Sequence, residues 1–446
     1  MRVLKLIGSV YLSKYFFGSI GILILAFFLG SIYPLALLFA RVLLLVFGLM
    51  LLVELVQLFR IRNGLVARRH VPEKLSNGDE NHIYITLKST MPYDCRFMLI
   101  DELPVQFQSR DKTFLGKMGV EESKTVDYTI RPTERGEYTF GNINVYVSTF
   151  THMIQRRYRS DAEEMTKVYP SIIQVKKYSF LAVSDFLSHA GIKKIRRIGH
   201  NYEFDQIREF VPGDDVRSIN WKATARASQI MVNQYQDEKS QDVYAIINKS
   251  RVMQLPFEEL TLLDYAINSS LVMLNTAYTK DDYPGLITFN KEVSAMVISS
   301  KKKTQITEIL ETLYNQETDF SEANYAKLAY WVRQKIKKRA LIFLYTNFEG
   351  LTSLYRELPY LKTIARHQRL IVVLFKNVEL NELLDQPSKD TESIYTKTIA
   401  TKFQIEKQLI VKELHKHGID AILTSPYDLT VNTINKYLEI KARGVF

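Results

Sequence analysis

Between Phe16 and Phe59 the chain reads FFGSIGILILAFFLGSIYPLALLFARVLLLVFGLMLLVELVQLF, an almost wholly apolar run. It is long enough for two membrane spans of about 20 residues each, and the break falls near Gly30 to Pro34. A cleaved signal peptide would carry an apolar core of only about 7 to 15 residues and end at a small-residue cleavage site, whereas here a second span follows at once. The run predicts a two-helix transmembrane hairpin. Arg41 and Glu54 are costly in hydrocarbon, so Arg41 is expected to snorkel from near the outer turn and Glu54 to lie close to the inner face.

Basic residues set the orientation. Arg2, Lys5 and Lys14 precede the first span and Arg60, Arg62, Arg68 and Arg69 follow the second, while the short connection offers at most Arg41. Both ends are therefore expected in the cytoplasm. Lys and Arg number 59 against 48 Asp and Glu, a formal charge of +11. An anionic inner leaflet draws part of that surplus, which weakens a nucleic-acid reading. The single cysteine, Cys95, has no partner for an internal disulfide, and this too suits a reducing compartment.

A length of 446 residues predicts roughly three domains. Residues 1–69 form the hairpin with its basic flanks. Beyond His70 the apolar period becomes two: Ile83, Ile85 and Leu87, then Val126, Tyr128 and Ile130, then Ile143, Val145 and Val147. With turn signals at SNGDEN, RPTERGEY and FGN, residues 70–170 read as a β-sandwich-like domain. Cys95 lies in one of its strands, CRFMLI, where a small buried apolar role fits better than a nucleophile. Residues 171–240 form a linker, and residues 241–446 alternate strands with amphipathic helices. DVYAIIN, PGLITFN, RALIFLYTN, RLIVVLFKN and DAILTSP are short apolar runs suited to a sheet buried on both faces. Leu260, Leu263, Ile267, Leu271 and Leu274, and then Ile306, Ile309, Leu310 and Leu313, mark crossover helices. The product is an α/β doubly wound domain, with QPSKDTES as a surface insertion before the last strand. Neither GxxxxGK[ST] nor GxGxxG occurs, so no nucleotide cradle is expected.

The densest cluster of chemistry-bearing residues is GHNYEFDQIREFVPGDDVRSINWKATAR, Gly199 to Arg226. Pro212 and Gly213 start a tight turn, Asp214 and Asp215 can accept backbone N–H bonds there, and Asn220 can cap a helix beginning at Trp221 and Lys222. Arg208, Arg217 and Arg226 have Glu209, Asp214 and Asp215 to pair with, and Trp221 offers an apolar face to bury against a neighbouring domain. Paired carboxylates can also serve as acid and base, but three arginines so near would neutralise them. A structural clamp or docking surface is the expectation.

This segment, from Glu203 to Arg226, resembles the signature of the DUF58 family of bacterial membrane proteins. The resemblance implies a membrane hairpin, a β-rich domain, the signature and then a von Willebrand factor A-like domain, and work alongside MoxR-type AAA+ ATPases; it brings no catalytic residues. It places the chain in the bacterial cytoplasmic (inner) membrane, multi-pass, with its soluble domains in the cytoplasm. A von Willebrand A-like domain further implies a Mg²⁺ centre on an Asp-x-Ser-x-Ser turn, a threonine and a second aspartate after the central strand. Here the turn reads Asn248, Lys249, Ser250, Arg251 and Val252, and the later position is Asn347. With two carboxylates turned to amides and one hydroxyl lost, a hard cation loses most of its affinity, so no cofactor is expected. Thr318 and Ser321 are candidates for the missing hydroxyl, or else helix caps.

The expected function is a membrane-anchored, non-catalytic adaptor that contacts the lipid bilayer, an AAA+ ATPase and other envelope proteins, but not nucleic acid. Two alternatives are an enzyme using Asp214 and Asp215, and a binder of anionic polymers using IKKIRR, Ile192 to Arg197. In that basic run the interleaved residues are apolar rather than aromatic stacking partners.

Overall fold

The computed structural model describes residues 8–61, 64–108, 111–160, 162–171, 173–176, 200–212, 214, 216–227, 229–237, 240–257, 260–378 and 390–443. The chain divides into two compact units, Met1–Tyr169 and Pro170–Phe446. The basic run Ile192–Arg197 lies outside the described residues.

In the first unit a short strand, β1 (Val10–Leu12), leads into helices α1 (Lys14–Ile32) and α2 (Pro34–Arg60). Ser13 caps α1, its Oγ accepting from Tyr15 N at 3.1 Å. Proline opens α2, where its missing N–H costs nothing. The two helices run antiparallel, with the Phe16 and Phe47 rings 5.9 Å apart. Gly30 permits their close approach, since a Cβ there would stand 2.9 Å from Leu37 Cα. Both helices are long and apolar enough to cross a membrane, with mean hydropathy 2.1 and 2.7. Phe28, Leu35, Phe39, Leu45 and Leu49 are among the large apolar side chains they expose.

Ten further strands follow: β2 (Leu65–His70), β3 (Lys74–Ser76), β4 (Asn81–Ser89), β5 (Cys95–Glu102), β6 (Asp111–Met118), β7 (Ser123–Ile130), β8 (Gly136–Phe140), β9 (Ile143–Ser148), β10 (Ile154–Ser160) and β11 (Glu164–Tyr169). They build sheets of order β1-β10-β9-β5-β6, β2-β4-β7 and β3-β11-β8. Every pairing is antiparallel except β3 with β11. Ile83, Ile85, Leu87, Val145 and Val147 are buried in one core, and Leu58 from the end of α2 joins them. Cys95 is buried there too; burial, with Asp94 and Glu122 adding to it, pushes its thiol up to about 11, so it packs as a small apolar residue.

Two charged side chains near the end of the second helix find partners inside this unit. Arg69 is a buried residue of β2 whose guanidinium pairs with Asp101. Its remaining donors reach Ala162 O at 2.9 Å and Gly141 O at 3.1 Å, and the Tyr128 hydroxyl donates to the same carboxylate. Its alternation phase on β2 points it inward, so it leaves the basic flank. Glu54 is 1% exposed. Its carboxylate accepts from Met153 N and Ile154 N, each at 3.2 Å, and from the Thr151 hydroxyl.

In the second unit an antiparallel ribbon of β12 (His200–Glu209) and β13 (Met231–Asp237) brackets α3 (Trp221–Ala227). There follow β14 (Asp242–Asn248), the short pair β15 (Pro256–Phe257) and β16 (Leu260–Thr261), α4 (Leu262–Thr279), β17 (Tyr283–Phe289) and β18 (Val293–Val297). Next come α5 (Gln305–Tyr314), α6 (Tyr325–Lys335), β19 (Leu341–Tyr345), α7 (Leu351–His367), β20 (Arg369–Phe375), α8 (Thr391–Lys416), β21 (Asp420–Thr424) and α9 (Leu429–Arg443). The sheet order is β18-β17-β14-β19-β20-β21, parallel apart from the antiparallel edge strand β18. One apolar core under α4, α5 and α9 covers one face, and a second under α6, α7 and α8 covers the other.

The five apolar runs expected as strands are all strands of this sheet, and the two amphipathic segments are α4 and α5. Leu260 belongs to β16 rather than to the helix. Within the polar stretch, Asp390 is the N-cap of α8, its Oδ1 accepting from Ser393 N at 2.8 Å, so a 26-residue helix begins where an insertion was expected.

Candidate functional site

The sheet order reverses between β14 and β19, whose neighbours lie on opposite sides. At such a point the helices diverge and leave a crevice at the carboxyl ends of the strands. Asn248 ends β14 and Asn347 follows β19, so the fold brings together the two positions singled out on sequence grounds.

Asn248 is fully buried. Its Nδ2 donates to Thr346 Oγ1 at 3.0 Å and its Oδ1 accepts from Ser250 N at 2.9 Å. Thr346 Oγ1 is also 2.6 Å from the hydroxyl of Tyr325, the first residue of α6. Burial pushes the Tyr325 phenol up, so it stays a neutral hydroxyl. An amide suits this knot because it donates on one side and accepts on the other.

On the other side of the crevice, Asn347 Oδ1 accepts from the ammonium of Lys407 on α8, which also donates to Phe348 O, both at 2.5 Å. Lys249 is buried as well, and desolvation, opposed by Asp319 and Glu317, holds its ammonium below the ordinary lysine range. Ser250 is buried and the half-buried Val252 packs on the core. Thr318 Oγ1 donates to Lys249 O at 2.7 Å, and Ser321 O accepts from Arg251 N at 3.1 Å. These two residues tie their loop to the strand end instead of capping a helix; the cap of α6 is Asn324. A divalent cation does not fit this donor set. One amide oxygen already holds an ammonium, the other holds a backbone N–H, and Lys249 and Arg251 add positive charge.

In the signature the described residues show an arginine–aspartate pair and a helix cap, while Trp221 departs from the expectation. Arg208 on β12 pairs with Asp214 through two bonds, Nη1 to Oδ2 at 2.7 Å and Nη2 to Oδ1 at 2.6 Å. Asp214 Oδ2 also accepts from Val211 N at 2.9 Å. The guanidinium, and then the backbone bond, hold the Asp214 carboxyl below its usual range. Asn220 caps α3, with Oδ1 accepting from Ala223 N at 2.9 Å, and its Nδ2 reaches Asn233 Oδ1 at 2.7 Å. Trp221, expected to bury its face, is 71% exposed, and Lys222 and Arg226 are exposed beside it. A residue at the first turn of a seven-residue helix that packs on β13 through its other face has nowhere inward to point. Gly213, Asp215 and the side chain of Arg217 lie outside the described residues.

Sequence reasoning missed Lys407, Tyr325 and Thr346. Lys407 is 60 residues from Asn347, on a helix whose outline the sequence barely shows. Thr346 alone had a local signal, standing directly before a position already under suspicion.

The family described as "Protein of unknown function DUF58" matches residues 206–408, from the signature into α8. The uncharacterized protein YeaD of Bacillus subtilis (strain 168) is 23% identical over 226 residues, which cover 49% of this chain and 55% of that protein. The chain thus spans just over half the length of the curated relative it matches. Among solved structures, the CARDB domain of a Pyrococcus furiosus protein is 14% identical, covering 23% of this chain and 86% of that one at a TM-score of 0.16. A PapD-like domain of human CEP192 is likewise 14% identical, covering 24% of this chain and 87% of that one at a TM-score of 0.18. Scores this low carry no argument.

Proposed function

We propose that this chain is a membrane-anchored, non-catalytic scaffold of the bacterial cytoplasmic membrane. Its two apolar helices span the bilayer as a hairpin and both units lie in the cytoplasm. The α/β unit, a von Willebrand factor A-like domain without the divalent cation, presents its strand-end face and signature ribbon to a MoxR-type AAA+ ATPase that acts on other envelope proteins. The observation that carries the anchoring is the outward display of large apolar side chains along both helices. Water would not tolerate that surface, and lipid does. The sheet order, with its third strand antiparallel at one edge, supports the von Willebrand A-like reading. The Arg208–Asp214 pair speaks against the enzyme alternative: a carboxylate held ionised by a guanidinium is a poor proton donor.

Reporter fusions at Gly78 and at the carboxyl terminus should both read cytoplasm, and a periplasmic signal from either refutes the orientation. Photocrosslinkers at Trp221 and Glu349, both exposed, should capture an AAA+ ATPase in intact membranes. Failure at both positions would remove the ATPase from the proposal while leaving the anchor standing.

A further inference from the structure

Beside the strand-end crevice lies a cavity of about 500 Å³, enclosed by α8, the start of α4 and the segments that follow β19 and β20. Its size falls within the roughly 300–1,000 Å³ of small-ligand sites. Phe257, Phe375, Phe403 and Leu423 supply apolar wall, and Lys407 and Lys376 are the cations on its lining.

Lys407 is the unusual member. An ammonium carries three N–H donors, and two of them go to neutral oxygens, Asn347 Oδ1 and Phe348 O. Among the described residues no carboxylate lies within ion-pair distance of it; Glu349 and Glu406 act on it from farther away. Glu349 is itself drawn to Arg251 at 3.3 Å. A largely buried cation held only by neutral acceptors carries a desolvation cost that a bound anion would relieve.

We infer that this cavity is a binding site for a monoanion with an apolar body, a carboxylate whose head pairs with Lys407 and whose aromatic or aliphatic part fills the space between Phe257, Phe375, Phe403 and Leu423. One free ammonium donor on Lys407 and one further lysine on the lining match a singly charged carboxylate, and the apolar wall matches an aromatic or aliphatic body. The depressed proton affinity of Lys407 agrees with a charge short of partners. The inference does not depend on the anchoring or on the ATPase. The carboxylate can come from a free small acid or from the terminus of a peptide.

The test uses the full chain in lipid nanodiscs with 4-phenylbutyrate and its uncharged counterpart 4-phenylbutanol, titrated by calorimetry at pH 7. The acid should bind at least tenfold more tightly than the alcohol. Lys407→Met should bring the two within about twofold while keeping the alcohol's affinity. Phe403 is half exposed, so Phe403→Glu should leave the fold intact, place a repelling charge at the mouth and abolish binding of the acid. Acetyl-Ala-Phe against its amide separates the sources: preference for the peptide acid points to a chain terminus, and preference for phenylbutyrate alone points to a free acid, each in keeping with the site. Equal affinity for acid and alcohol in the parent overturns the inference, as does a preference that survives Lys407→Met.

Discussion

At the scale of single residues, the strand ends suit amides better than carboxylates. An aspartate at 347 would face Lys407 and be neutralised by it, and one at 248 would be buried between two hydroxyls. The double variant Asn248→Asp/Asn347→Asp should therefore still fail to bind Mg²⁺ in calorimetry at millimolar metal; saturable binding by this variant would show that Lys407 does not block the site. The same lysine makes stability depend on pH. Burial lowers it to about 8, against an ordinary lysine value of about 10.4. Between those values the unfolded chain holds more protons than the folded one, so stability rises with pH across that window, and the penalty is fully present below it. At pH 7 the penalty is on the order of 3 kcal/mol. Lys407→Met should melt above the parent at pH 7 and lose that advantage by pH 10.5; parallel melting curves at both pH values would refute the burial of an unpaired charge.

Among the elements, α2 is the most informative. Its 27 residues give about 40 Å of helix, longer than the roughly 30 Å of hydrocarbon in a bilayer, so under the proposed anchoring its last turns project beyond the apolar layer. Those turns carry Glu54 and Leu58 into the sheet-rich unit, and Arg156 on β10 donates to Leu58 O at 2.6 Å and Ile61 O at 2.7 Å, closing the helix's open carbonyls. Glu54→Ala would strand the Met153 and Ile154 N–H groups and should cost about 1.5–3 kcal/mol, read by denaturant melting of the full chain in detergent. A change below about 0.5 kcal/mol would mean water replaces the carboxylate freely. Elements differed in how plainly the sequence announced them. β4 was legible because Ile83, Ile85 and Leu87 alternate without a break, and β14, β19 and β20 because parallel strands buried on both faces are uninterrupted apolar runs. α8 was not: its buried positions are Ala400, Ile410 and Leu414, with threonines scattered between, which leaves a stripe too thin to set a period. The Arg69–Asp101–Tyr128 cluster joins three strands far apart in sequence, and no local pattern marks it.

On the scale of the whole molecule, the apolar helices and the sheet-rich unit form one folding unit rather than a tether with a cargo. Both ends of the hairpin enter the sheets: β1, directly before α1, pairs with β10, and Ser13 N donates to Met153 O at 2.9 Å, while α2 delivers Leu58 to the core and Glu54 to the turn before β10. A chain cut at residue 64 to gain solubility would thus lose an edge strand, an apolar plug and the acceptor of two backbone N–H groups at once. Hydrogen exchange separates this from general loosening. In the truncated chain the amides of Met153 and Ile154, which donate to Glu54, and of Arg157, which donates to Ser9 O, should exchange at least a hundredfold faster than in the parent, whereas those in the centre of β4, bonded to β2 and β7 in a different sheet, should change far less. Uniform acceleration across both sheets would mean that the helices stabilise the unit as a whole. Unchanged exchange at all these amides would make the hairpin a mere anchor, and the contacts of Glu54 and Leu58 incidental to the fold.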